Sequence, residues 1–197
     1  MNSTARTIAL VAAFAALTAA LAFVSIPVGS AGVPIVLQNA GPLLAGLILG
    51  PKKGAYATVL FIAVSMLGLP ILAGGRTGAA ALAGPTFGFL LGYILSAIVA
   101  GLIAKLVYTG SKKTMTLGFV GAGIAGIAAD YVCGVLGMMA RGISFKASVL
   151  ALPAFIPGDL LKAVLAGLIA AAVLTALPQF NPASRRTAAA TITTHQR

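Results

Sequence analysis

Only two acidic residues, Asp130 and Asp159, occur among 197, and this restricts the solvent in which the chain can fold. Charged residues make up 8% of the sequence, against about 25% in a soluble domain. A soluble fold of this length needs a charged surface, and there are too few charges to build one. Lipid removes that need, provided the backbone satisfies its own hydrogen bonds, as helices do. The 60% hydrophobic content and the mean hydropathy of +1.09 agree with this. A hydrocarbon core about 30 Å thick takes ~20 apolar residues per helix, so the length allows roughly six spans plus short loops. The expected fold class is an all-α integral membrane protein with six transmembrane helices in one domain.

The apolar runs place the spans at about 7–26, 35–50, 54–69, 86–107, 115–139 and 158–177. Breaks fall at Pro27 to Pro34, at Gly50-Pro51, at Pro70, and at Gly84-Pro85. The second run is short and holds Pro42, and Lys52-Lys53 mark the turn after it. The first run reads as a retained span and not a cleaved leader, because the chain keeps returning to the membrane. Residues 1–182 read as the transmembrane domain, and 183–197 as a polar, disordered tail that carries the only histidine, His195.

The net charge of +11 raises nucleic acid as a partner, but there is no basic stripe with interleaved aromatics. The cations instead cluster between apolar runs. With six spans, Arg6, Lys52, Lys53, Lys105, Lys112, Lys113, Arg185, Arg186 and Arg197 share a side with the termini, and Arg76, Arg141 and Lys146 lie opposite. Such an excess marks the cytoplasmic face, so both termini are expected in the cytoplasm of a cell whose plasma membrane holds the protein. The lone Cys133 excludes an intrachain disulfide and reads as a small apolar residue in a packed helix. The two halves show no paired broken helices, and no GxxxxGK[ST] motif occurs, so the chain carries no ATP motor of its own. No metal and no cofactor are expected.

Lys162 lies inside the sixth run, one turn after Asp159. Residues three apart share a helix face, and both charges are expensive in hydrocarbon, so they face a polar cavity or each other. Pro157-Gly158 opens the helix just before them and leaves free N–H groups nearby. Acceptor, cation and donors together suit a small polar ligand with amide-like N–H groups and an oxygen. Asp130, mid-span beside Tyr131, reads first as a structural hydrogen bond between helices, with ligand contact as the alternative. The loop Gly74-Gly75-Arg76-Thr77-Gly78 and the break Gly84-Pro85-Thr86 fall on the outer side. Glycines there allow close backbone approach to a ligand, and Arg76 is either a carboxylate receptor or a solvated charge. Gln38 and Asn39, at the start of the second run, are pocket groups or helix caps. Ala12, Ala16 and Ala20 form a small-residue series, as do Ala9 and Ala13, fit either for a partner helix or for packing within the bundle.

At these residues the sequence resembles the BioY family, the biotin-binding S components of energy-coupling factor (ECF) transporters. The matching segments are VPIVLQNAGPLLAGLILGPKKGA at 33–55, GLPILAGG at 68–75, GPTFGFLLGY at 84–93 and PGDLLK at 157–162. The resemblance implies six helices and a biotin site open to the outside. It implies that Asp159 and Lys162 contact the bicyclic head of biotin. It also implies that the segments around Gly75, Arg76, Gly84, Thr86, Gly88 and Tyr93 lie near the rest of the ligand, and that the first helix, at Ala12, Ala16 and Ala20, docks on the transmembrane coupling subunit, with ATPase subunits supplying the energy. The loaded subunit would then topple in the bilayer as the coupling subunit changes shape. The chain departs from the family at GPTFGF, where GPTGGY is common, so Phe87 and Phe89 replace a small residue and a tyrosine.

Three other readings compete. An S component for another vitamin is disfavoured by the PGDLLK segment. A self-sufficient biotin carrier is open. A membrane enzyme using Asp130 or Asp159 lacks a convergent histidine or cysteine, so no catalytic residue is assigned.

Overall fold

A computed structural model describes residues 3–26, 35–108 and 112–177. The tail at 183–197, His195 and the break from Pro27 to Pro34 lie outside them. The regular elements of the described residues are helices, apart from one pair of two-residue strands. The helices are α1 (Ser3–Leu21), α2 (Ala40–Leu49), α3 (Pro51–Met66), α4 (Gly78–Ala83), α5 (Phe87–Val107), α6 (Lys112–Ala140), α7 (Phe145–Ala151) and α8 (Ile156–Ala176). The strands β1 (Ser25–Ile26) and β2 (Ile35–Val36) pair antiparallel between α1 and α2. A 3-10 turn, Leu37–Asn39, leads into α2.

Each expected span corresponds to a helix. Four of them, α1, α5, α6 and α8, are long and apolar enough to cross a bilayer. The other two, α2 and α3, have 10 and 16 residues, or roughly 15 and 24 Å of helix at 1.5 Å per residue. The chain is therefore an all-α, multi-pass integral membrane protein.

Exposure is arranged for lipid. In α8 the buried stripe is Asp159, Lys162, Ala163, Ala166, Gly167, Ala170, Ala171 and Leu174. The exposed face is Leu160, Leu161, Val164, Leu165, Leu168 and Ile169. Small residues face the bundle and branched apolar ones face outward, because helices in lipid associate through close packing and not through a hydrophobic drive. This stripe carries Asp159 and Lys162 inward with the alanines.

Glycines set the helix crossings. A Cβ on Gly54 would lie 2.8 Å from the Gly46 backbone, and one on Gly101 would lie 2.6 Å from Pro51 N, so α2, α3 and α5 meet backbone to backbone. Gly50, at φ 83°, turns the corner between α2 and α3, with Pro51 opening the second helix. The main core joins Leu43 and Leu47 of α2, Phe119 and Ala122 of α6, and Ala163, Ala166 and Leu174 of α8.

One result differs from the sequence reading, and another narrows it. The connections before α5 and α8 contain short helices: α4, capped by Thr77, whose side chain accepts from Ala80 N, and α7, capped by Ser144, which accepts from Ala147 N. Ala12, Ala16 and Ala20 are exposed, as are Ala9 and Ala13, so these alanines do not pack within the bundle. The buried side of α1 carries Ala15 and Thr18 instead, and Thr18 abuts Gly41 of α2.

Candidate functional site

The starts of α2, α5 and α8, the middle of α6 and the hairpin before α4 enclose a cavity of about 400 Å³, within the usual size range of small-molecule sites. Val36, Gln38 and Asn39 line it from the approach to α2, and Leu72, Ala73 and Arg76 from the hairpin. Ala81 of α4, Thr86 at the α5 N-cap, and Phe89, Leu90 and Tyr93 of α5 contribute further wall. Asp130 and Tyr131 of α6 and Ala154, Phe155, Gly158, Asp159 and Lys162 at the head of α8 complete it.

Asp159 is the hub of the polar wall. Lys162 Nζ donates to its Oδ1 at 2.7 Å, and Asn39 Nδ2 donates to the same oxygen at 2.9 Å. The Tyr131 hydroxyl donates to Oδ2 at 2.7 Å. Asp159 and Lys162 are only 5% and 6% exposed. A carboxylate offers about four acceptor positions and an ammonium three donors. The pair is thus held by α6, α8 and the turn into α2, with about one acceptor position of Asp159 and two N–H groups of Lys162 left unused by these bonds. Asn39 Oδ1 is buried without a partner.

Aromatic rings pack beside this hub. The Phe89 ring stands edge-on to Tyr131 at 6.3 Å between centroids and tilted against Phe155 at 6.1 Å. Gly88 makes this possible without touching the cavity. A Cβ there would strike the Cys133 carbonyl and lie 2.8 Å from Gly137 Cα, so α5 and α6 cross in close contact and carry Phe89 and Tyr93 up to Asp130 and Tyr131.

Of the expected residues, Asp159, Lys162, Arg76, Thr86, Tyr93, Gln38, Asn39 and Asp130 meet at the cavity, whereas Gly75, Gly84 and Gly88 are outside its lining. Gly74 and Gly75, at φ 75° and 69°, form the bend of the hairpin in which Leu72 N donates to Arg76 O at 3.0 Å. Such successive positive φ values favour glycine. Gly84 ends α4. Both Gln38 amide groups are engaged: Nε2 donates to Ile71 O at 3.0 Å and Oε1 accepts from Ala73 N at 3.1 Å. Gln38 therefore ties the hairpin down and is no helix cap. Arg76 is exposed, and its Nε donates to Ala73 O. The expectation that Asp130 bonds a neighbouring helix is corrected: among the described residues no donor reaches it, and its Oδ1 is buried unpaired.

Tyr131, Phe89, Phe155 and Leu72 escaped the sequence reading as site residues. Tyr131 beside a buried acid, and Phe89 one turn before Tyr93, carried a signal. Phe155 and Leu72 had none beyond their position next to the helix breaks.

The geometry defines a polytopic helical membrane protein with a cavity of small-molecule size whose lining combines a buried ion pair with apolar and aromatic side chains. The sequence pattern of the BioY family matches residues 1–179, and the chain belongs to that family. It is 41% identical over 190 residues to the "Biotin transporter BioY" of Rhodobacter capsulatus, covering 91% of this chain and 96% of that one. It is 37% identical over 179 residues to the protein of the same name from Rhizobium etli, covering 88% and 95%. Among solved structures, the S-component for biotin from an ECF-type ABC transporter superposes with a TM-score of 0.74 at 29% identity, covering 88% of this chain and 93% of that one. The S component of a bacterial ECF transporter shares the fold, with a TM-score of 0.58 at 14% identity, covering 90% and 98%.

Proposed function

We propose that this chain is the membrane-embedded biotin-binding subunit of an ECF transporter, a transport protein and not an enzyme. It would take biotin from outside and pass it to the cytoplasm together with a coupling subunit and ATPase subunits. The observation that carries the reading is the Asp159–Lys162 pair, buried at 2.7 Å on a cavity of ligand size. Biotin's head offers two ring N–H donors around one carbonyl oxygen. The open position on Asp159 takes an N–H, and the free N–H groups of Lys162 reach the oxygen. Phe89, Leu72, Leu90 and Phe155 cover the thiophane ring and the tail. Arg76, at the hairpin, receives the carboxylate, with Thr86, Tyr93 and Asn39 as further polar contacts. Gly75, Gly84 and Gly88 act by shaping the walls.

The topology follows from the same reading. We take α1, α2, α3, α5, α6 and α8 as six membrane helices within residues 1–182, with both termini and the 183–197 tail cytoplasmic. The excess of cations at the α2–α3 turn and the α5–α6 connection supports this, and it puts the cavity at the outer ends of the helices. The exposed Ala12, Ala16 and Ala20 form the face offered to the coupling subunit.

Equilibrium titration of the purified protein tests the ligand. Biotin is expected to bind saturably and to resist displacement by other vitamins. Displacement by an unrelated vitamin at equal concentration would reassign the substrate. Uptake in cells lacking the ATPase subunits separates an energised transporter, which should stall, from a self-sufficient carrier.

A further inference from the structure

Asp130 is an ionisable side chain in the middle of α6, 3% exposed, with no hydrogen-bond donor among the described residues. Burying such a group in a membrane bundle unpaired is expensive, and the expense marks functional positions. Its place is made for it: a Cβ on Gly92 of α5 would collide with the Asp130 carboxyl, so glycine at that position leaves room for the acid. Asp130 is among the residues that line the cavity. Asp159, which lines the same cavity, already accepts three hydrogen bonds and has about one position left. A cyclic urea presents two N–H donors, so one of them needs another acceptor.

We infer that Asp130 is a second ligand-binding carboxyl, which accepts one ring N–H of the ligand while Asp159 accepts the other. The inference rests on the biotin reading above. Asp159 with Lys162 then orients the head, and Asp130 completes it from α6. An occupied site would have its ligand clamped between α6 and α8, and Asp130 would gain the donor it lacks.

The test pairs protein and ligand variants in calorimetric titrations of detergent-purified protein. The ligands are biotin and the two cyclic-carbamate analogues in which one ring N–H or the other is replaced by oxygen. Asp130→Leu is expected to weaken biotin at least tenfold, and Asp130→Asn, which keeps an acceptor oxygen, to fall between Leu and wild type. One of the two analogues, penalised against biotin in wild type, should lose most of that penalty in Asp130→Leu. Wild-type affinity of Asp130→Leu, or unchanged penalties for both analogues, would overturn the inference and leave the biotin reading intact. Failure of the unmodified protein to bind biotin would overturn that reading instead. Should Asp130→Leu not fold, Asp130→Ala takes its place in the same cycle.

Discussion

Asn39, on the last residue of the turn into α2, donates to Asp159 Oδ1 at 2.9 Å across 120 positions of sequence. The bond ties the turn into α2 to the head of α8 and fixes the carboxylate that Lys162 neutralises. Charge-assisted bonds of this kind contribute about 1.5–3 kcal/mol. Asn39→Asp would set a second carboxylate against the first. It should lower both thermal stability and biotin affinity, the latter by more than tenfold, as read by thermal unfolding and titration of the same preparation. Unchanged values for both would exclude a coupling of the two segments through this contact.

Removing one partner of the Asp159–Lys162 pair leaves a buried charge without compensation, which costs about 3–5 kcal/mol. Lys162→Met should therefore depress the unfolding temperature in detergent. The double variant Asp159→Leu/Lys162→Met, which buries no charge, should regain most of the loss. It should nevertheless fail to bind biotin. Recovery of stability without recovery of binding would separate the pair's structural effect from its role towards the ligand.

Gly88 places α5 against α6 without entering the cavity. Gly88→Ala must push the helices apart at the Cys133 carbonyl, and overpacking of this kind destabilises by about 1–3 kcal/mol. Because Phe89 and Tyr93 ride on the displaced helix, affinity should fall together with the unfolding temperature. A loss of stability with unaltered affinity would show that the cavity tolerates movement of α5.

Gln38 holds the hairpin through two hydrogen bonds to Ile71 and Ala73. Gln38→Ala should free the segment around Arg76, raising the rate of biotin dissociation several-fold and exposing 73–76 to proteolysis. Equal cleavage of the variant and the wild type would count against this tether.

Ala16 points away from the bundle. Ala16→Phe should leave biotin binding unchanged and reduce ATP-dependent uptake by at least tenfold, measured in cells that express the complete transporter. Normal uptake would remove this face of α1 from the docking surface.

Much of the bundle was legible because lipid residence simplifies the pattern. Every apolar run marked a helix, and Gly50-Pro51 and Gly84-Pro85 marked real breaks. The short helices α4 and α7 were missed because six or seven residues leave little periodicity, although Thr77 and Ser144 stood as N-cap signals. At the site, Asp159 and Lys162 were legible from spacing and expense alone. Gln38 was legible as a pocket group, but its tether was not, since nothing in sequence shows that its amide is taken by a backbone 33 and 35 residues away. The resemblance puts Gly88 near the ligand; the fold adds that its missing side chain makes room for α6. Asp130 was read first as bonded across helices, with ligand contact as the alternative, and only the fold reveals that its Oδ1 is buried without a partner among the described residues.

The most direct test of the account is the affinity of purified Asp159→Asn and Lys162→Ala for biotin by calorimetry. Each should bind at least tenfold more weakly than wild type, about 1.4 kcal/mol or more, with the protein still folded by thermal unfolding. Wild-type affinity in both folded variants would contradict the assignment of this buried pair to the ligand.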